Sequence, residues 1–189
     1  MMELSQYRLE TLRQDGEFIL YRGLRQTGAE TSPPSILALS PVMERPAPAI
    51  IKKIEHEFSL KDELDPAWAI RPIALTQQQS RTMLLFEDPN GEPLDRLLIR
   101  PMELKRFLRC GIGLAAALGQ VHRRGLIHKD IKPSNVLVSA TMDQAWLMGF
   151  GIASRSPRER QSAEPPEFIS GTLAYMAPEQ TGRMNRSWC

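Results

Sequence analysis

Asp130, Lys132 and Asn135 lie within six residues of one another in the stretch Ile127-His128-Lys129-Asp130-Ile131-Lys132-Pro133-Ser134-Asn135-Val136-Leu137-Val138. A carboxylate, an ammonium group and an amide set this close together can serve proton transfer and the holding of a charged group. The plain alternative is a polar loop following a helix. Two elements must position the trio. Upstream, Leu104, Phe107, Leu108, Cys110, Ile112, Ala115, Leu118 and Val121 recur near helical spacing, which predicts a helix over Pro101 to Arg124. Pro101 suits a first helical turn and Gly125 a stop. Downstream, Val136 to Val138 and Ala145 to Met148 read as short strands.

The first 88 residues have a different texture. Phe18 to Tyr21, Ser35 to Leu39, Ile70 to Leu75 and Thr82 to Phe86 are short apolar runs bounded by polar or turn-forming residues, and they predict strands. Ile50 to Leu64 is the exception, with Ile51, Ile54 and Phe58 at helical spacing and Asp65-Pro66 as its stop. Pro89-Asn90-Gly91-Glu92-Pro93 is a linker by composition. A strand-rich piece over 1–88, a linker over 89–93 and a more helical piece over 94–189 imply two lobes with a cleft between them.

Two further stretches stand in order behind the trio: Leu147-Met148-Gly149-Phe150-Gly151-Ile152-Ala153 and Gly171-Thr172-Leu173-Ala174-Tyr175-Met176-Ala177-Pro178-Glu179. Together the three resemble the catalytic loop, the metal-binding Asp-Phe-Gly region and the Ala-Pro-Glu end of the activation segment of serine/threonine protein kinases. The resemblance implies an α+β, bilobal fold with a strand-rich N-lobe carrying one helix and an incomplete helical C-lobe. It implies ATP and magnesium as cofactors and a protein as substrate or signalling partner. It assigns proton acceptance to Asp130, steadying of the phosphate to Lys132 and a magnesium contact to Asn135. In the N-terminal half, Glu57 is similar to the family's helix glutamate, and Phe86-Glu87-Asp88 to the hinge that meets adenine. Leu20, Ala38 and Leu137 fall where the family sandwiches the adenine ring. Simple core packing is the competing reading for these last positions.

The departures cluster on phosphate and metal handling. Gly149 stands where the family has its magnesium aspartate and brings no side-chain oxygen. Against the family's third strand, Ser40 takes the place of the lysine, with Lys52 and Lys53 as distant substitutes. The segment Asp15-Gly16 to Gly23 has two separated glycines where the family turn has three close together. Lys129 replaces an arginine and cannot make a bidentate contact. The chain ends ten residues after Glu179, so the resemblance covers about two-thirds of a kinase domain. Glu55 to Leu60, Asp65 to Trp68 and Ala174 to Asn185 also look like the kinase-like domain that heads large bacterial sensor proteins.

Three functions follow as expectations: a catalytically impaired module that binds nucleotide or docks signalling partners, an active serine/threonine kinase, or a truncated remnant without a role. Ser154, Ser156, Ser162, Ser170 and Thr172 are candidate phosphosites. Composition narrows the partners. With 24 basic and 22 acidic residues the net charge is +2, which gives no long-range pull toward nucleic acid. No window approaches the apolar length of a membrane span, and no basic-then-apolar leader opens the chain. Cys110 and Cys189 have no metal-ligand spacing, and a reducing cytoplasm fits them.

Overall fold

The structure, a computed structural model, describes residues 4–26, 33–78, 81–155 and 171–181. Its N-terminal half is one five-stranded antiparallel sheet with one helix against it. Strands β1 (Tyr7–Gln14), β2 (Phe18–Arg25), β3 (Ser35–Pro41), β4 (Pro72–Gln78) and β5 (Arg81–Glu87) are ordered β1-β2-β3-β5-β4. The central strand β3 and its neighbour β5 are apolar on both faces because both are covered. On one face, Leu20, Leu37, Leu39, Leu84 and Phe86 pack with Ile54 of helix α1 (Pro48–Ser59). On the other, Ile36, Ala38, Met83 and Leu85 pack with Leu4 and Tyr7. Helix α1 is shorter than the spacing predicts. It stops at Ser59, and Leu60 to Glu63 continue as a turn that delivers Leu60 and Leu64 to the lower core.

Below the sheet, β6 (Glu92–Pro93) and the single-turn helix α2 (Leu94–Leu97) lead to helix α3 (Leu104–Arg123). Short strands β7 (Leu126–Ile127), β8 (Val136–Val138), β9 (Ala145–Leu147) and β10 (Ser154–Arg155) follow. They form a β6-β8-β9 sheet and a β10-β7 pair. Pro101 lies ahead of α3 rather than in its first turn, and Gly125 takes a left-handed conformation just beyond its end. Only one side of α3 reaches the core, through Cys110, Ala117 and Val121, while Leu104, Phe107, Leu108 and Ile112 face outward. This is the α+β arrangement expected, a strand-rich upper part with one helix and a more helical lower part. The polar stretch beyond Arg155 and the terminal Cys189 lie outside the described residues.

Candidate active site

Where β7 ends, the chain makes a tight loop before β8, and the polar trio sits on it. Lys129 holds a positive φ of 68° there, a strained choice for a residue with a side chain. Asp130 is the hub. Its Oδ2 accepts from Asn135 Nδ2 at 2.9 Å and lies 3.2 Å from Lys132 Nζ. Its Oδ1 accepts from the Thr172 hydroxyl at 2.8 Å, and Lys132 Nζ in turn donates to that hydroxyl at 3.0 Å. Asn135 also ties the loop to itself by donating to the Asp130 carbonyl at 2.8 Å. Thr172, which sequence reasoning placed among many phosphosites, is thus a member of the site. Its hydroxyl is already engaged twice.

His128, two residues before Asp130, braces the loop from beneath. Its Nδ1 accepts the Asp130 N–H at 3.2 Å, which leaves Nε2 as the donor to the Met148 carbonyl at 3.0 Å. Phe150 lies against the ring with centroids 4.5 Å apart. Burial pushes the imidazole down to about 4, a neutral ring that accepts on one side and donates on the other.

Gly149 adopts φ 83° and ψ 38°, the left-handed region, directly over Asn135. A Cβ at this position would lie 2.6 to 2.8 Å from the Asn135 amide group. Its N–H donates to Glu57 Oε1 at 2.7 Å. Glu57 is buried on α1, and burial lifts its carboxyl to about 7 against the lowering effect of the Gly149 and Phe150 N–H groups and of Arg13.

The roof of the cleft is the turn from β1 to β2. Asp15 Oδ1 accepts from the N–H groups of Glu17 at 2.9 Å and Phe18 at 2.7 Å, and its Oδ2 takes Arg13 Nη1 at 3.0 Å. Burial opposes its charge, but those N–H groups, Arg13 and Lys132 together hold it below the usual carboxylate range. Lys53 of α1 reaches the same turn and pairs with Glu17 at 2.6 Å. Arg13, Asp15, Leu39, Glu57, Asp130 and Gly149 line a single cavity of about 340 Å3.

The residues expected around an adenine ring are arranged otherwise. Leu20 and Leu137 do come together, fully buried in one cluster with Leu37, Phe86, Trp146 and Met148, but neither lines the cavity. Ala38 is misplaced: β3 pairs it with Tyr21 and Leu85, and it packs on the sheet's far face. Leu37 and Leu39 hold the near face instead. For the same reason Ser40 is not the position of the missing lysine. Leu39 lines the cavity with Glu57, and β3 supplies no lysine to it. Glu87 also lies outside. Its N–H bonds the Arg71 carbonyl at 3.1 Å, its carboxylate pairs with the Arg71 guanidinium, and it borders a smaller cavity with Ile70 and Trp146. Arg22 of β2 pairs with Asp88 at 2.8 Å and donates to the Gly91 carbonyl at 2.6 Å, fastening the sheet to the segment that follows β5.

The sequence reading missed Arg13 and Asp15. A β-bulge between Thr11 and Arg13 breaks the alternation of β1 and turns both Leu12 and Arg13 inward. The signal for Asp15 was present, since an aspartate before Gly16 is an Asx-turn former.

Residues 36–187 match the family model for the protein kinase domain. The serine/threonine-protein kinase pkn2 of Myxococcus xanthus is 32% identical over 133 residues, 68% of this chain and 16% of that protein. The probable serine/threonine-protein kinase SCO3848 of Streptomyces coelicolor is 34% identical over 99 residues, 51% of the chain and 15% of the relative. Serine/threonine-protein kinase PknB of Mycobacterium tuberculosis is 36% identical over 80 residues, 42% and 13% respectively. The chain therefore spans about a sixth or less of the length of these relatives.

Proposed function

From the premise that this chain belongs to the protein kinase domain family, we propose that it is a serine/threonine-type kinase module with impaired phosphoryl transfer, working by binding a ligand or a signalling partner. The observation that carries this reading is the bond from Gly149 N–H to Glu57. A backbone amide holds the helix carboxylate where an active domain would join it to a lysine, and position 149 has no carboxylate to offer. We further take 1–88 as the N-lobe, 89–93 as the hinge and 94–189 as the C-lobe portion, with a cytoplasmic setting.

Protein kinase domains in general use ATP and magnesium. The residues here do not fit a protein-held magnesium. Gly149 has no side-chain oxygen to contribute, which leaves Oδ1 of Asn135, whose amide nitrogen is spent on Asp130, as the one oxygen of the expected pair. No cluster of three His, Cys, Asp or Glu able to hold a metal occurs among the described residues. On the adenine side, Leu20 and Leu137 are wholly enclosed and do not border the cavity. Losing one preorganised electrostatic partner costs roughly 10² to 10³ in rate.

A second reading, an active kinase, draws on the assembled Asp130–Lys132–Thr172 arrangement. One experiment separates them: labelled ATP with a serine/threonine substrate, in magnesium and in manganese, for the wild type and Asp130→Asn. Equal, background incorporation by both is expected. Incorporation by the wild type that Asp130→Asn abolishes would overturn the impaired reading.

A further inference from the structure

Arg13 is enclosed, with its side chain 6% exposed, yet its guanidinium is only partly used. Nη1 serves Asp15, while Nε is buried and has no hydrogen-bond partner. An unmatched buried donor on a cation is costly, and such a group calls for a partner that the protein does not itself supply. Arg13 lines the cavity, so a ligand held there lies within reach of its guanidinium.

The strand register gives the position its meaning. Arg13 of β1 pairs with Leu20 of β2, and Leu20 pairs with Leu39 of β3. Cross-strand partners share a face, so Arg13, Leu20 and Leu39 form one row on the cleft side. Arg13 stands two strands, about 10 Å, from Leu39, a gap that an arginine's length spans in part. Both border the cavity that Glu57 also lines, and Arg13 lowers the Glu57 pKa. The positive charge absent from β3 has thus reappeared on β1.

Asp15 occupies the place of a ligand. Its carboxylate collects two N–H groups of the roof turn and Arg13, with Lys132 Nζ 3.9 Å away. Amides and two cations converging on one anion is the donor set that a phosphate group takes, and a guanidinium fork matches phosphate oxygens in geometry. Asp15 is about a quarter exposed and on a turn, so it can swing to solvent and surrender those donors.

We propose that Arg13 is the phosphate-binding cation of the cleft and that Asp15 is a resident anion which an incoming diphosphate must displace. The proposal rests on the cleft being a kinase-like ligand site, but not on whether that site transfers phosphoryl groups. The shared ligand chemistry is a diphosphate, carried by a nucleotide or by inorganic pyrophosphate.

The test is calorimetric titration of the whole chain with pyrophosphate, ADP and ATP in EDTA. Arg13→Gln, Arg13→Lys and Asp15→Asn are compared with the wild type, and exposed Arg81→Gln serves as a charge control. Arg13→Gln is expected to weaken binding about 10- to 100-fold, the scale of one charged hydrogen-bond partner. Arg13→Lys should recover part of the loss, Asp15→Asn should tighten binding several-fold, and Arg81→Gln should change nothing. ADP and ATP no tighter than pyrophosphate would assign the site to free diphosphate, whereas a nucleotide advantage that Arg13→Gln reduces would assign it to nucleotides. Either result supports the proposal. Unchanged binding by Arg13→Gln overturns it, as does a silent wild type together with a silent Asp15→Asn. Should Arg13→Gln fail to melt cooperatively, failure of Asp15→Asn to tighten binding overturns it. Phosphotransfer in magnesium would overturn the impaired-catalysis reading and leave this outcome untouched.

Discussion

Glu57 and His128 are both buried, and their shifts run in opposite directions, which gives the domain an unusual pH signature. The folded carboxyl of Glu57, at about 7, lies above its ordinary 4.5. Its contribution to stability is fully present below 4.5 and is lost as pH rises through 7. His128, at about 4, lies below its ordinary 6.5, so its contribution is present above 6.5 and is lost as pH falls through 4. Between 4.5 and 6.5 the two slopes oppose. The wild type is expected to show a shallow profile there, and melting midpoints measured from pH 4.5 to 7.5 will show it. Glu57→Gln removes the falling slope, so stability should rise with pH across that window. A profile for Glu57→Gln that parallels the wild type would mean that Glu57 titrates normally. Gly149 offers a second prediction at this scale. Gly149→Ala adds a Cβ within 3 Å of Asn135 at a left-handed φ, and should lower stability by roughly 1 to 3 kcal/mol. Gly16→Ala, with open space around it, should be close to neutral.

Sheet register decides which side chains enter the cleft. In Ile36-Leu37-Ala38-Leu39 every residue is apolar because both faces are covered, so no alternation marks which residues look inward. A one-residue slip exchanges the faces. That is why the family motif could be aligned onto Ala38 and Ser40 when the near face belongs to Leu37 and Leu39. The lower loop was legible because Asp130, Lys132 and Asn135 are fixed by close sequence spacing, with no strand pairing needed to place them. Arg13 was not legible, since a bulge is set by how β1 pairs with β2 in space. The register carries its own prediction. Leu39→Lys places an ammonium in the cavity that Glu57 lines and should bring the Glu57 pKa down. The falling slope that Glu57 contributes then disappears, and stability should rise with pH between 4.5 and 6.5 as in Glu57→Gln, whatever the cost of replacing a buried leucine. Ser40→Lys forces a charge against the far face, where Ile36 and Ala38 pack, and should only destabilise. If Ser40→Lys rather than Leu39→Lys brings out that rise, the register argument fails.

The whole molecule divides its apolar surface unevenly. Helix α3 seats Cys110, Ala117 and Val121 in the lower core, yet Leu104 is 69% exposed, Phe107 58% and Ile112 71%, with Leu108 beside them. These four fall at i, i+3, i+4 and i+8, so they form one stripe along the outer side of the helix. A surface helix normally carries one apolar stripe, and a helix apolar on two sides has two faces to cover. Leu173 and Tyr175 are exposed as well, so among the described residues most of the exposed large apolar side chains lie in the lower half. Contiguous apolar patches beyond a few hundred Å2 are rare on monomers and drive association. The chain is therefore expected to self-associate through α3 as its concentration rises. Phe107→Glu combined with Ile112→Lys puts charges on the stripe without touching Cys110 or Val121, so the fold should persist. Sedimentation velocity over a concentration series should move from associating for the wild type to a single slow species for the double variant. Melting of the two should be similar when read at low concentration. A wild type that sediments as one species throughout, or a variant that associates as strongly, would mean that this stripe is not what brings copies together.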